Sequence, residues 1–321
     1  MSALAFTLLA LLLSGPVAAM LAGAHWPMRA PRAAIVLWQS IALAAVLSAF
    51  SAGIAIASRL FTSGAGEGPT ATFTGQINIL GWPLWTAYAL VFALTIMIGA
   101  RLFASVLNVA IATRRRRAHH RMVVDLVGAP HVAARQLRSH CPRPMALGGL
   151  RILDVAEPLA YCLPGVRSRV VLSEGALNKL SHSEIRAILT HEHAHLRARH
   201  DLVLEMFTAV HAAFPRFVRS ANALTAVRLL IELLADDAAV RNTGPTPLAR
   251  ALVACASART PRGALAVGGP TTVLRVRRLG GRPNSLIVAA GAYVAAAAVL
   301  VVPTVAVAVP WLTELHRLFF A

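Results

Sequence analysis

Lysine is all but missing from this sequence. Lys179 is the only one, so arginine carries nearly all of the 31 basic positions, against 13 acidic ones and a formal net charge of +18. Cysteine is scarce as well. Cys141, Cys162 and Cys255 stand far apart and form no CxxC pair, which argues against a disulfide framework and against Cys-ligated zinc. Internal repeats are absent, and no constellation supports trypsin-like or cysteine-protease chemistry. What is abundant is apolar: 57% of the 321 residues are hydrophobic and the mean hydropathy is +0.65. Soluble domains usually run near 45–50% apolar.

The excess sits in long uncharged runs of the ~20 residues that a helix needs to cross a bilayer. Four such runs are read here, at about 3–24, 34–58, 84–107 and 286–309. The first resembles a signal peptide around Pro16-Val17-Ala18-Ala19. Its apolar run is longer than a signal core and no basic region precedes it, so it is expected to stay as a span. A strongly basic balance fits nucleic acid, anionic lipid or an arginine-biased genome. Here the arginines cluster beside the spans, which favours the bilayer as partner, and no direct nucleic-acid contact is expected. Arg29 and Arg32 lie between spans one and two, and Arg114-Arg115-Arg116-Arg117 follow span three. The positive-inside rule then puts those segments in the cytoplasm of a multi-pass cell-membrane protein, with the N-terminus, the 59–80 loop and the C-terminus outside. The expected layout is a membrane region over 1–112, a cytoplasmic domain over 113–285, the fourth span over 286–309 and a short external tail over 310–321.

Inside the cytoplasmic block, β-branched clusters at 150–154, 159–163 and 169–172 flank Pro164-Gly165, a hairpin signal. The pattern then turns helical. Ser181 and Glu184 have capping-box spacing at the start of a helix expected to run through to Phe214 before Pro215. Further helices are expected over 221–242 and 248–258.

The chemistry-bearing motif is His191-Glu192-His193-Ala194-His195. Positions i and i+4 share one helix face, so His191 and His195 can grip one ion of Zn²⁺ per chain, while Glu192 beside the first ligand can accept a proton from the attacking water. A third ligand is expected from Glu232 on the next helix. Asp236, one turn further on, could hydrogen-bond a ligand histidine, although Asp237 competes for that role. Three protein ligands leave the open position that a catalytic site needs. His193 should point away from the metal face. His200 is left between a surface, a lipid-proximal and a catalytic position.

The runs Ala160-Tyr161-Cys162-Leu163-Pro164-Gly165, Arg169-Val170-Val171-Leu172-Ser173-Glu174-Gly175-Ala176-Leu177 and Thr190 to Arg197, with Glu232 to Asp236, resemble the BlaR/MecR-type membrane zinc metallopeptidases, over roughly 145–245. The resemblance implies a multi-pass α-helical membrane protein with an inserted, mainly helical α+β zincin-like (gluzincin) metallopeptidase domain. It also implies a cytoplasmic transcriptional repressor as protein substrate, cleaved in a regulatory proteolysis pathway. One departure is plain. The full-length sensors carry an external penicillin-binding domain with a reactive SxxK serine, and no SxxK occurs in this sequence because position 176 is Ala, three ahead of the sole lysine. Two other readings stay open: a housekeeping membrane zinc protease of the HtpX or prenyl-protease type, and a non-catalytic membrane regulator, which would have no need of Glu192.

Overall fold

The computed structural model describes residues 2–57, 81–128, 149–214, 221–256, 265–266, 271–281 and 284–320. The expected 59–80 loop and Cys141 lie outside these. Helix α1 (Ser2–Leu12) runs into a wider π-type turn (Leu13–Val17) and then α2 (Ala18–Gly23). The turn contains Pro16, whose missing N–H removes one ladder bond, so the helix is loosened there without ending. After a 3-10 turn, Trp26–Arg29, come α3 (Pro31–Ala57) and α4 (Trp82–Val127). Among the described residues four helices are long and apolar enough to cross a membrane: Phe6–Gly23, Pro31–Gly53, Trp82–Val127 and Leu286–Ala306.

α4 does not stop at the expected end of span three. It continues unbroken through the arginine run for 46 residues in all. Arg114, Arg115 and Arg116 are exposed. Arg117 differs: its Nη1 lies 3.1 Å from Asp201 Oδ2 and 2.7 Å from Glu205 Oε1, which ties α4 to the helix over 200–213.

Three short strands follow: β1 (Leu150–Leu153), β2 (Ala160–Leu163) and β3 (Arg169–Ser173). β3 is central, parallel to β1 and antiparallel to β2, with Cys162 opposite Val170. The Pro164-Gly165 turn uses φ +143 at Gly165, a region that only glycine enters readily. β4 (Leu265–Ala266) lies antiparallel on the outer edge of β2, at Tyr161 and Cys162. β3 is therefore paired on both sides, and the outer edge of β2 is covered at Tyr161 and Cys162.

Helix α5 (Glu174–Lys179) is capped by Ser173, whose Oγ accepts from Ala176 N at 3.0 Å. α6 (His182–Arg197) begins with the expected capping box: Ser181 N donates to Glu184 Oε2 at 2.9 Å, and Glu184 N donates to Ser181 Oγ at 3.4 Å. The helix expected to reach Phe214 is broken. Arg199 adopts φ 51, ψ 43, and α7 (His200–Ala213) starts afresh after it. α8 (Ala221–Thr243), α9 (Pro245–Ala254), α10 (Thr272–Leu279) and α11 (Leu286–Phe320) complete the chain. α11 continues past the expected end of the fourth span at Val309.

Two cores result. One joins the sheet to α6 and α9 through Cys162, Leu172, Ile188, Leu189, Leu248 and Leu252. The other joins the spans to α7 and α8 through Leu21, Trp38, Ile41, Phe207, Val227 and Ile231. At ~1.5–3 kcal/mol for each fully buried aliphatic or aromatic side chain, both are substantial. α8 belongs to both, and its polar residues lie between them.

Candidate active site

α6 presents His191 and His195 one turn apart, with Glu192 beside them, and all three are fully buried. The two imidazole rings lie edge-to-face with centroids 4.8 Å apart, and their Nε2 atoms are 3.1 Å apart. α8 crosses α6 and brings Glu232 to the same point: Oε2 is 3.4 Å from His191 Nε2 and Oε1 is 3.6 Å from His195 Nε2. One turn later on α8, Asp236 Oδ1 lies 3.0 Å from His191 Nδ1.

These donor atoms suit a metal ion. A tetrahedral zinc with bonds of ~2.0–2.1 Å sets its ligand atoms about 3.3–3.4 Å apart. The two imidazole nitrogens are 3.1 Å apart, Glu232 meets them with different oxygens at 3.4 and 3.6 Å, and one ligand atom from each residue fits within 4.8 Å of the others. One nitrogen of each histidine faces the centre while the other is held from behind, His191 Nδ1 by Asp236 and His195 Nδ1 by His200 Nδ1 at 3.0 Å. Outer partners of this kind fix the ring orientation of metal-binding histidines. Beside the cluster, both carboxylate oxygens of Glu192 are buried, and apart from the neighbouring Cys162 thiol they have no hydrogen-bond partner among the described residues. Leaving a buried polar group unmatched costs ~1–3 kcal/mol, more for a charge, and such groups concentrate at functional sites.

A cation already belongs to the arrangement. Arg275 on α10 is 1% exposed. Its Nε donates to Asp236 Oδ2 at 2.8 Å, its Nη2 donates to Asp236 Oδ1 at 2.6 Å, and its Nη1 lies 2.9 Å from Glu232 Oε2. The competition between Asp236 and Asp237 is resolved by direction. Asp236 faces His191 and Arg275, whereas Asp237 turns the other way to Arg278, with Nη1 to Oδ1 at 2.7 Å.

The electrostatics separate the groups. Burial pulls His191 down, but the carboxylates of Asp236 and Glu232 outweigh it and raise its pKa to about 9. Burial, with His191 and Arg275 nearby, lowers His195 to about 3 against the opposing pull of Glu232. Burial also lowers His200, to about 4. Glu232 and Asp236 are held below the usual carboxylate range: burial opposes this, and the histidines and Arg275 overcome it. Glu192 goes the other way, since burial raises it to about 7. Cys162 on β2 is held well above its ordinary range by burial first and then by the charge of Glu192, so its thiol stays protonated. Two ionised carboxylates around one point make a site that favours positive charge.

All five residues singled out from the sequence therefore meet: His191, Glu192, His195, Glu232 and Asp236. His193 turns aside, with Nδ1 3.0 Å from Leu189 O, one turn back. Two neighbours were not foreseen. His200 comes back to His195 only because Arg199 breaks the helix, and nothing in the residue pattern announces a left-handed arginine. Arg275 lies 39 positions beyond Asp236 in an unremarked basic stretch, and its burial is a tertiary effect.

Residues 150–282 match Peptidase family M48. The matched region takes in the strands and α5 to α10, and with them every side chain of the cluster. The match supports a metallopeptidase function for this region, in a family whose members typically depend on zinc, and among the described residues His191, His195 and Glu232 form a group that could hold a metal ion. The M48-type domain does not by itself single out the BlaR/MecR branch. Comparisons with curated proteins and with solved structures give no match.

Proposed function

We propose that this protein is a membrane-embedded zinc endopeptidase that cuts a cytoplasmic protein, a transcriptional repressor in a regulatory proteolysis pathway. The observation that carries the reading is the convergence of His191, His195 and Glu232, with candidate ligand atoms within 4.8 Å of one another, beside the buried carboxylate of Glu192.

In this reading His191, His195 and Glu232 hold one Zn²⁺. When bound, the ion polarises the scissile carbonyl and lowers the pKa of the attacking water toward ~7. Glu192 accepts the proton of that water and delivers it to the leaving amine. Its raised pKa places it near neutrality, where one group can do both. Asp236 fixes the ring of His191 and His200 fixes that of His195. Arg275 neutralises the charge that two carboxylates would otherwise concentrate there, and is a positioning residue.

The repressor substrate, the cytoplasmic face and the regulatory role rest on the BlaR/MecR resemblance and on the arginine distribution. A housekeeping protease of the HtpX or prenyl-protease type shares HExxH and a downstream Glu with an Asp four on, and is the second reading.

The test uses wild type and Glu192→Ala in detergent. Bound metal is determined for both, and cleavage is assayed on a repressor encoded nearby and on casein. One zinc per chain in both, with cutting only by the wild type, is the expected result. Cutting of casein but not of the repressor favours the housekeeping protease. Absence of metal from the wild type overturns the proposal.

A further inference from the structure

A cavity lined by none of the cluster residues lies where the candidate spans meet α7 and α8. It has a volume of about 540 Å³ and is walled by Leu13, Trp38, Met97, Arg101, Phe207 and Leu224, among others. That is within the ~300–1,000 Å³ of sites for small organic ligands. The wall is apolar apart from a few groups, and no carboxylate lines it among the described residues.

Two of the polar groups point to a ligand. Arg101 donates its Nε to Ala213 O, the last residue of α7, at 2.6 Å, and its two Nη groups have no partner among the described residues. Trp38 is 2% exposed and its indole Nε1–H finds no acceptor among the described residues. A buried donor of this kind normally has a partner.

The depth of Arg101 settles the class of ligand. α4 begins at Trp82, which is exposed and stacked edge-to-face on Trp85, as aromatic residues at a membrane interface are. From Trp82 to Arg101 an α-helix rises about 28 Å. The hydrocarbon core is about 30 Å thick. With Trp82 at one interface, Arg101 stands at the headgroup level of the other, with the apolar cavity alongside it. Basic pockets between membrane helices on the cytoplasmic side recognise anionic headgroups.

We propose that this cavity binds one anionic membrane phospholipid, with an acyl chain between the spans and α7–α8, its phosphate on Arg101 and an ester carbonyl accepting from Trp38 Nε1. The lipid braces two helices that also carry His200 and Glu232, so it holds the membrane side of the active site in register.

The test reads binding and needs no peptidase activity. Full-length protein is exchanged in mild detergent with phosphatidylglycerol or phosphatidylcholine, and the lipid retained per chain is measured by mass spectrometry of the intact protein. Wild type should retain one phosphatidylglycerol and little phosphatidylcholine. Arg101→Gln should lower phosphatidylglycerol retention about fivefold, toward the phosphatidylcholine level. Ala45→Phe, which fills the cavity, should abolish retention with the helix content intact. A second measurement reads contact directly: acyl-brominated phosphatidylglycerol should quench wild-type tryptophan fluorescence, and Trp38→Phe, which keeps an aromatic ring in place, should lose most of that quenching. Equal retention of the two lipids by wild type, full retention by Ala45→Phe, or quenching unchanged in Trp38→Phe would each overturn the proposal.

Discussion

Arg275 closes on Asp236 as a fork on a carboxylate, with Nε to Oδ2 at 2.8 Å and Nη2 to Oδ1 at 2.6 Å, and both side chains are buried. Breaking such a pair from one side leaves an uncompensated buried charge, which costs ~3–5 kcal/mol. Arg275→Ala is therefore expected to lower the unfolding free energy by about that amount, read by denaturant titration in detergent. Arg275→Lys should recover only part of it, because one ammonium cannot make the two-pronged contact. A loss under ~1 kcal/mol for Arg275→Ala would mean that water reaches Asp236 and the pair is not sealed.

His200 touches no reacting atom but holds Nδ1 of His195 at 3.0 Å. Removing an outer partner of a metal-binding histidine typically weakens the metal ~10–100-fold. His200→Ala should weaken zinc binding by that factor in competition with a chromophoric chelator, while Glu192→Ala leaves it within about twofold on the same scale. Unchanged affinity in His200→Ala would reduce its contact with His195 to packing.

The pH dependence follows from opposite shifts. Glu192 is raised to about 7, so as pH rises through 7 it loses its proton and becomes a base. In the chelated protein the Glu192 carboxyl should titrate near 7 in infrared difference spectra taken against Glu192→Gln; a midpoint near 4.5 would show that burial does not govern this carboxylate. Stability of the metal-free protein runs differently. Asp236 is depressed, so its contribution is present above the ordinary Asp value of ~3.9 and is lost as pH falls below it. His191 is raised to about 9, so its contribution is present below ~6.5 and is lost as pH rises through 9. Denaturant midpoints of the chelated protein should therefore drop at both ends, below about 4 and above about 9.

Arg199 holds a left-handed conformation, φ 51, that costs a side-chain-bearing residue ~1–3 kcal/mol. Its contact with Asp201, Nε to Oδ1 at 3.5 Å, is solvent-exposed on the arginine side and contributes little. Arg199→Gly should raise stability by ~0.5–1 kcal/mol without altering zinc content. Destabilisation would show that the arginine side chain matters more than its backbone.

Much of this was legible in the residues because the signals were local. A capping box, a Pro-Gly turn and histidines at i and i+4 each declare themselves within a few positions, and Glu232 with Asp236 repeats that spacing on the next helix. What escaped was set by long-range packing. The α6–α7 break depends on a backbone angle at Arg199 that no neighbour dictates. Arg275 carries the same composition signal as the exposed arginines of α4, and only the fold separates a buried guanidinium from an exposed one. The M48 match supports a metallopeptidase function for 150–282 and leaves the substrate to experiment.

α8 has two faces with different employers. Glu232 and Asp236 serve the cluster, while Val227, Leu230, Ile231 and Leu233 pack with Trp38, Ile41 and Leu21 of the spans. Excised at the limits of its family match, the domain would lose that apolar support and expose those side chains to water. The smallest autonomous unit here is larger than the stretch that carries the chemistry, and a soluble fragment of 150–282 should aggregate where the full chain in detergent does not.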